Sequence, residues 1–199
     1  MATQLQINDF ESRRTALIHR LNDAEFLSNK GLGNEAGIFT FCYDPSLELV
    51  ARDFFESLSK ISRKGRLGAS GIKTNLIERN LYDVLLEITE AKRILDRIPA
   101  QELRHGSDGL LKKIQRIATP EAFVTAMDWH PHQLGDVLLV TGVGEVYPYI
   151  RVHSILNNMQ SKFRDVPVVV AYPGTFDGGS LSLFSKLKDG NYYRAFDLI

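Results

Sequence analysis

Three short, nearly continuous apolar runs constrain the fold of this chain more than any other feature of its sequence. They lie at residues 38–42, at Asp136–Thr141 and at residues 166–172, and they are rich in the β-branched and aromatic residues that favour strands. A strand that is apolar at successive positions is buried on both faces, which is typical of a parallel sheet covered by helices. We therefore expect a core of buried parallel strands.

The segments between these runs carry helical periodicity. After the Asp44-Pro45 start signal, apolar residues fall at helical spacing from Leu47 to Leu58. A long helical stretch over residues 81–129, with one helix ending near Pro99, reads as an insertion between two strands. The chain is thus predicted to be one α/β domain over residues 1–199. Its mostly parallel sheet would have four to five strands, covered by helices on both faces, in a P-loop-ATPase-like architecture without Walker motifs.

Other elements are predicted from local signals. Asn8 and Glu11 resemble a capping box that opens a helix running to about Leu27. Pro148 is expected to open a further helix, and Pro173-Gly174 to end the third apolar run. A weaker strand is expected at residues 72–77, a short helix over 181–187 and a last edge strand over 192–196.

Composition excludes several classes of protein. The chain has 24 basic and 24 acidic side chains and one cysteine, Cys42, so a disulfide framework and a cysteine-based zinc finger are excluded. The balanced charge disfavours a dedicated nucleic-acid binder. No apolar run is long enough for a membrane helix, and the first residues show no signal-peptide pattern. We expect no membrane association.

The balanced charge hides a basic segment. Residues 60–116 hold 13 basic and seven acidic side chains, and the cations are densest at Lys60, Arg63, Lys64 and Arg66. They could contact a phosphate backbone, or they could form a solvated loop that follows a helix C-terminus. The solvated loop is favoured because no aromatic residues lie between the cations, as a single-strand groove would require.

Motifs for nucleotide chemistry are missing. The pattern G-x-x-x-x-G-K-[ST] is absent. Gly142-Val143-Gly144 is half of a dinucleotide fingerprint, but Tyr147 occupies the third glycine position, so these glycines are expected to serve a turn with positive φ. Thr141 and Gly142 stand where a Walker B strand would carry acidic residues. We predict no ATP hydrolysis and no cofactor.

The candidates for other chemistry each have a plain structural alternative. His130 and His132 could bind a metal, but no acidic cluster adjoins them, so an exposed turn is favoured over a metal site. Cys42 could be a nucleophile, yet a small buried hydrophobe explains it as well. Convergence of Asp44, Glu145 and Asp177 at the strand ends would favour a hydrolase. No catalytic residue is assigned, and the chain is predicted not to be an enzyme.

Aromatic residues and arginine cluster near the C-terminus, as they do at interfaces. The candidates for partner binding are Tyr172, Asp177, Tyr192, Tyr193 and Arg194. In the alternative interpretation, Tyr193 and Phe196 pack on the sheet while Arg194 pairs with a carboxylate such as Asp177. The sequence leaves these two interpretations even.

Four segments resemble the BrxB family in order and spacing. They are residues 138–151 (LLVTGVGEVYPYIR), 166–181 (VPVVVAYPGTFDGGSL), 187–196 (LKDGNYYRAF) and, less specifically, 38–49 (IFTFCYDPSLEL). The resemblance covers nearly the whole chain and is weakest over residues 60–135. Several separated motifs in one order are far more specific than a lone G-x-G.

The resemblance implies a cytoplasmic component of a BREX phage-defence system, which methylates host DNA and blocks phage replication. It implies PglZ as first partner, with the BrxC ATPase and the PglX methyltransferase as further ones, and it supplies no catalytic residues. The expected function is a non-enzymatic scaffold or adaptor. The alternative is a degenerate nucleotide-fold module that binds nucleic acid through residues 60–66.

Overall fold

The computed structural model describes residues 2–29, 37–188 and 196–198. Its helices are α1 (Gln4–Arg20), α2 (Ala24–Leu27), α3 (Glu48–Arg63), α4 (Leu81–Ala91), α5 (Ile98–Ile117), α6 (Pro120–Met127), α7 (Val143–Val146) and α8 (Val152–Met159). Its strands are β1 (Ile38–Tyr43), β2 (Gly68–Ala69), β3 (Ile72–Lys73), β4 (Asn75–Asn80), β5 (Asp136–Thr141), β6 (Val168–Phe176), β7 (Leu181–Leu183), β8 (Leu187–Lys188) and β9 (Phe196–Asp197).

The strands form the mostly parallel sheet that the sequence predicts. The order is β4-β5-β6-β1-β9, and every neighbouring pair in that order is parallel. Beyond this set, β6 continues and pairs antiparallel with β7, which pairs with β8. A separate small hairpin joins β2 and β3. The carboxyl ends of β1, β4, β5 and β6 therefore lie along one edge, where parallel α/β folds place their sites.

Helices cover both faces of the sheet. Alternate residues of β1 enter two different cores: Ile38 and Cys42 pack with α4, α6 and α8, whereas Phe39 and Phe41 pack with α1 and α3. The same alternation holds for β5 and β6, so all six residues of β5 are buried. This two-sided burial explains why the strand sequences are apolar at successive positions.

The amino-terminal helix starts earlier than predicted. Thr3 Oγ1 accepts a hydrogen bond from the Gln6 amide, and Gln6 Oε1 accepts one from the Thr3 amide at 2.7 Å. The capping box is therefore Thr3 with Gln6 rather than Asn8 with Glu11. The helix then stops at Arg20, and the short α2 follows as a separate element. Thr3 with Gln6 and Asn8 with Glu11 both resemble a capping box, and the pair nearer the N-terminus forms it.

Two prolines act differently from the prediction. Pro99 lies in the first turn of α5 rather than after a helix, because the first turn does not need the amide hydrogen that proline lacks. Pro148 lies in a turn after α7, and the helix expected to begin there begins at Val152. A kink at Gly106, with φ 67°, interrupts α5.

The carboxyl-terminal part contains strands where a helix was predicted. β6 runs through Pro173 and Gly174 to Phe176, because β7 supplies an antiparallel partner for the extension. Residues 181–187 form β7, a turn and the start of β8 instead of a short helix. Phe196 and Asp197 form the edge strand β9 beside β1. The rest of the predicted edge strand lies outside the described residues.

No helix among the described residues is both long enough and apolar enough to cross a membrane.

Candidate functional site

The carboxyl ends of four parallel strands enclose a cleft of about 200 Å³. We call it the strand-end cleft. The polar groups that line it come from β1, α3, β4, β5 and α7, and they are Tyr43, Glu48, Arg52, Asp53, Glu56, Glu78, Asn80, Thr141 and Glu145. The position agrees with the rule that ligands of parallel sheets bind beyond the carboxyl strand ends.

Each glutamate of the strand-end cleft is engaged by neighbouring side chains. Glu78 accepts hydrogen bonds from Ser59 Oγ at 2.9 Å and Thr141 Oγ1 at 3.2 Å. Glu48 accepts one from the Tyr43 hydroxyl at 2.8 Å. Burial, together with the Glu48 carboxylate, raises the pKa of Tyr43. The phenol therefore stays protonated and serves as a donor.

Arg52 links two of these carboxylates. Its Nε donates to Glu48 at 3.0 Å, and its Nη2 pairs with Glu145. Asn80 Nδ2 also donates to Glu145, at 3.1 Å. The lining holds one arginine against four glutamates and Asp53, so the cleft is acidic, and an acidic cleft repels phosphate. This arrangement suits an internally braced surface better than a nucleotide pocket.

The Gly142-Val143-Gly144 turn has one glycine with positive φ. Gly142 has φ 72°, as the sequence predicts, and an added Cβ there would lie 2.3 Å from Asn80 Oδ1. Gly144 lies within α7, where a Cβ would meet the Phe184 ring at 3.0 Å. The first glycine therefore serves the backbone conformation, and the second serves close packing.

The three carboxylates proposed to converge at the strand ends have different surroundings. Glu145 lines the strand-end cleft, whereas Asp44 accepts from Gln6 Nε2 at 2.6 Å and from the Ser46 amide at 2.9 Å. Asp177 accepts from the Ser180 amide and hydroxyl in its own turn, and these hydrogen bonds lower its pKa. The structure does not bring the three into one pocket, so the hydrolase hypothesis loses its geometric support.

A second depression, of about 480 Å³, lies between α1 and the extended end of β6. We call it the α1–β6 groove. Leu5 and Arg13 of α1 line one side, and Thr175 and Phe176 of β6 line the other. Leu5 is 79% exposed although it is apolar. Arg13 lies between Asp9 at 3.1 Å and Asp197 at 2.7 Å. Exposed apolar groups beside an arginine that is held by two carboxylates are typical of an interaction surface.

Cys42 lies at the floor of the α1–β6 groove but is buried. Burial raises the pKa of its thiol to about 12. The thiol is therefore neutral near pH 7, and the interpretation of Cys42 as a small buried hydrophobe fits better than that of a nucleophile.

We expect native Cys42 to resist alkylation by iodoacetamide at about pH 8.5, reacting roughly 100-fold more slowly than in the urea-unfolded chain. The thiolate is the reactive form, and burial disfavours it by raising the pKa of the Cys42 thiol from its ordinary value of 9.0 to about 12. The free energy of unfolding should accordingly fall as the pH rises between these two pKa values. Mass spectrometry of timed samples measures the rate, and equal rates in both states would contradict the burial.

The candidates for partner binding have different positions. Tyr172 is fully buried within the sheet core, so its selection as a surface residue is wrong. Asp177 is exposed in its turn. Tyr192, Tyr193 and Arg194 lie outside the described residues. Thr175 and Phe176 belong to the stretch that the sequence predicts to be a loop, and their strand position follows only from the pairing of β6 with β7.

The basic residues 60–66 lie at the opposite edge of the sheet. Arg63 and Lys64 end α3, where Ser62 Oγ donates to the Thr74 carbonyl just before β4 begins. Lys60 pairs with Glu56 at 2.6 Å, while Arg66 is exposed in the following turn. Cations at this position complement the helix dipole. Contact with nucleic acid stays a prediction.

The segment with His130 and His132 is more than an exposed turn. The His132 side chain is only 4% exposed, so the prediction of an exposed turn is wrong for this residue. Carboxylates also adjoin it, from Asp128 two residues before the pair and from Asp165 across the fold. Asp128 could have been recognised from its closeness in the sequence, whereas no local signal points to Asp165.

Comparisons with known proteins identify the family. The family model described as "BREX protein BrxB" matches residues 77–198. A protein of that description from Bacillus cereus (strain H3081.97) is 38% identical over 190 residues, covering 94% of this chain and 96% of its own length. The chain belongs to the BrxB family. A second BREX protein BrxB, from Escherichia coli O9:H4 (strain HS), is 28% identical over 193 residues, covering 95% of this chain and 91% of its own length.

The BrxB match includes part of both depressions. The family model begins within β4 and so covers Glu78, Asn80 and Glu145 of the strand-end cleft. It also covers Thr175 and Phe176 of the α1–β6 groove, whereas α1 and α3 precede it. No solved structure matches the chain, so the P-loop-like aspect of the architecture stays a prediction.

Proposed function

We propose that the chain is a non-enzymatic adaptor subunit of a BREX defence complex and that PglZ is its first partner. Membership of the BrxB family carries the proposal, because the relatives are named as BREX proteins and align over nearly their whole length. A role in phage defence follows from that membership. BrxC and PglX are further candidate partners within the same system.

The chemistry of the strand-end cleft supports an adaptor. Its glutamates are engaged by Tyr43, Arg52, Asn80 and other neighbours, and it presents acidic rather than phosphate-binding groups. General acid or base catalysis needs a group whose proton can be exchanged with a substrate. Here the hydrogen bonds of the glutamates go to the protein itself, which rigidifies the edge of the sheet.

The α1–β6 groove is the surface that we assign to PglZ. Leu5 and Phe176 offer apolar area, and Asp9, Arg13 and Asp44 surround it with charge. An apolar centre with a polar rim is the usual anatomy of a protein interface. The groove also lies beside the segment from Asp177 to Ser180, part of the aromatic and turn-rich region assigned to partner binding from the sequence.

The experiment is a pull-down of the tagged chain from cells that carry the complete defence cluster, with quantitative mass spectrometry. PglZ should be the most enriched component. Leu5→Asp and Thr175→Arg should each reduce PglZ recovery by about tenfold or more, because they place charge at the centre of the interface.

Leu103→Asp provides the matched control. Leu103 is 90% exposed on α5, away from both depressions, so the same change of chemistry there should leave PglZ recovery unchanged. Circular dichroism should show that all three variants are folded. Recovery of no BREX component by the wild-type chain would refute the adaptor proposal, whereas full recovery by the groove variants would refute only the assigned surface.

A further inference from the structure

The loop between α6 and β5 brings three potential metal ligands together. Asp128, His130 and His132 each offer one ligand atom, and these atoms all lie within 4.8 Å of one another. Asp128 Oδ1 is 3.4 Å from His132 Nε2, and Asp128 Oδ2 is 3.2 Å from His130 Nε2. Two ligands of a tetrahedral ion with bonds of 2.0–2.1 Å stand about 3.4 Å apart. Each of the two separations is close to that value, and they involve the two different oxygens of Asp128.

Two of the facing atoms are buried without a hydrogen-bond partner. The side chains of His132 and Asp128 are 4% and 11% exposed. Among the residues that the structure describes, neither His132 Nε2 nor Asp128 Oδ1 has a hydrogen-bond partner. Folded proteins rarely leave buried polar atoms unpaired, and such atoms are commonly satisfied by a bound water or ion. A cation between the two would satisfy both at once.

A second carboxylate orients the buried imidazole. His132 Nδ1 lies 2.7 Å from Asp165 Oδ1, so Nδ1 carries the proton and donates it to the hydrogen bond with Asp165. In the neutral imidazole with its proton on Nδ1, the lone pair is on Nε2, which faces Asp128. Histidines that bind metals usually show this pairing of the remote nitrogen with a carboxylate.

The ring of His132 is also fixed by packing. It stacks on Phe163 with an interplanar angle of 17° and contacts the Trp129 ring at 4.6 Å between centroids. Trp129 Nε1 in turn donates to Asp136 of β5 at 3.1 Å. The position of the imidazole is therefore set by the sheet and by the segment between α8 and β6, not by its own loop alone.

One cation competes for the cluster. Lys162 Nζ lies 3.6 Å from Asp128 Oδ2, and its side chain is 52% exposed. An ammonium at that distance offsets part of the Asp128 charge and would oppose a metal ion. Because the side chain is long and half in solvent, it can turn away, and its removal becomes a test of the site.

We propose that Asp128, His130 and His132 bind a divalent ion of the zinc class, with a fourth position open to water. Two imidazoles and one carboxylate form a borderline nitrogen and oxygen donor set, which suits Zn²⁺ better than Mg²⁺ or Ca²⁺. His130 is 66% exposed, so the ion has an entry path from solvent. The ion would cross-link three residues of the α6–β5 loop. This inference does not depend on the proposed partner.

The test is isothermal titration of the EDTA-treated, dialysed chain with ZnCl₂, repeated with Co²⁺ to observe tetrahedral visible absorption. One ion should bind per chain, and His130→Ala should weaken binding at least about tenfold. Asp165→Asn should weaken it about 10- to 100-fold through the orientation of His132. Lys162→Met should strengthen it.

His105→Ala is the matched control, because His105 is an exposed histidine of α5 and its loss should leave the affinity unchanged. His130 is largely exposed, so its variant should keep the thermal stability of the metal-free wild type even if His132→Ala fails to fold. Absence of one-to-one binding, or binding that His130→Ala leaves intact, would overturn the proposal.

Discussion

Phe41→Ala is expected to lower the free energy of unfolding by about 3–5 kcal/mol. Phe41 has no solvent exposure and lies on the interior strand β1, between β6 and β9. Its ring contacts Phe10 at 5.6 Å and Phe55 at 5.2 Å between centroids, both edge to face, and it stacks on Phe54. Removal of the ring would leave a cavity where α1 and α3 meet the sheet.

Equilibrium unfolding in urea, followed by circular dichroism, measures this loss. Leu103→Ala is the control: this leucine is 90% exposed, so its truncation should change stability by no more than about 0.5 kcal/mol. A loss below about 1 kcal/mol for Phe41→Ala would mean that the aromatic cluster is not packed as described.

Gly174→Ala is expected to destabilise the chain by about 1–3 kcal/mol and to disturb the α1–β6 groove. An added Cβ would lie 2.1 Å from the Ser182 carbonyl oxygen. That oxygen belongs to the backbone of β7, so no side-chain rotation relieves the clash. Gly174 pairs with Leu183 in this ladder, and the two strands must move apart.

Thr175→Ala tests the same strand without the clash, because Thr175 is exposed and adjacent to Gly174. Its free energy of unfolding, measured in urea, should stay within about 0.5 kcal/mol of the wild-type value. Hydrogen exchange of the β6 and β7 amides should be faster in the Gly174 variant alone. Unchanged exchange in that variant would contradict the close approach of the two strands.

The buried strands could be predicted because their sequence pattern has one physical cause. Ile38, Phe39 and Phe41 alternate between two cores, and few other environments require apolar residues at successive positions of a short segment. The amphipathic helix α3 was predictable for a related reason. Ala51, Phe54 and Leu58 lie on its one buried face.

The carboxyl-terminal strands could not be predicted from local signals. The spacing of Leu181, Leu183 and Leu187 fits a short helix as well as strands, and the choice depends on β6 as a distant partner. Pro99 likewise suits the end of one helix or the start of another. In these places tertiary contacts override a pattern that is ambiguous on its own.

The candidate sites were predictable in part. The positive φ of Gly142 follows from its place after a strand. His130 and His132 could be named from the sequence as possible metal ligands, but Asp128 was missed, although the three residues span only five positions. Asp165, 33 residues beyond His132, could not be found without the fold.

Direct binding between the purified chain and purified PglZ tests the adaptor proposal most directly. Isothermal titration should show a saturable complex with a dissociation constant of about 1 μM or tighter, as expected for an interface of ordinary size. Leu5→Asp should weaken it, and Leu103→Asp should not. No detectable complex at about 50 μM of folded partners would contradict the central claim.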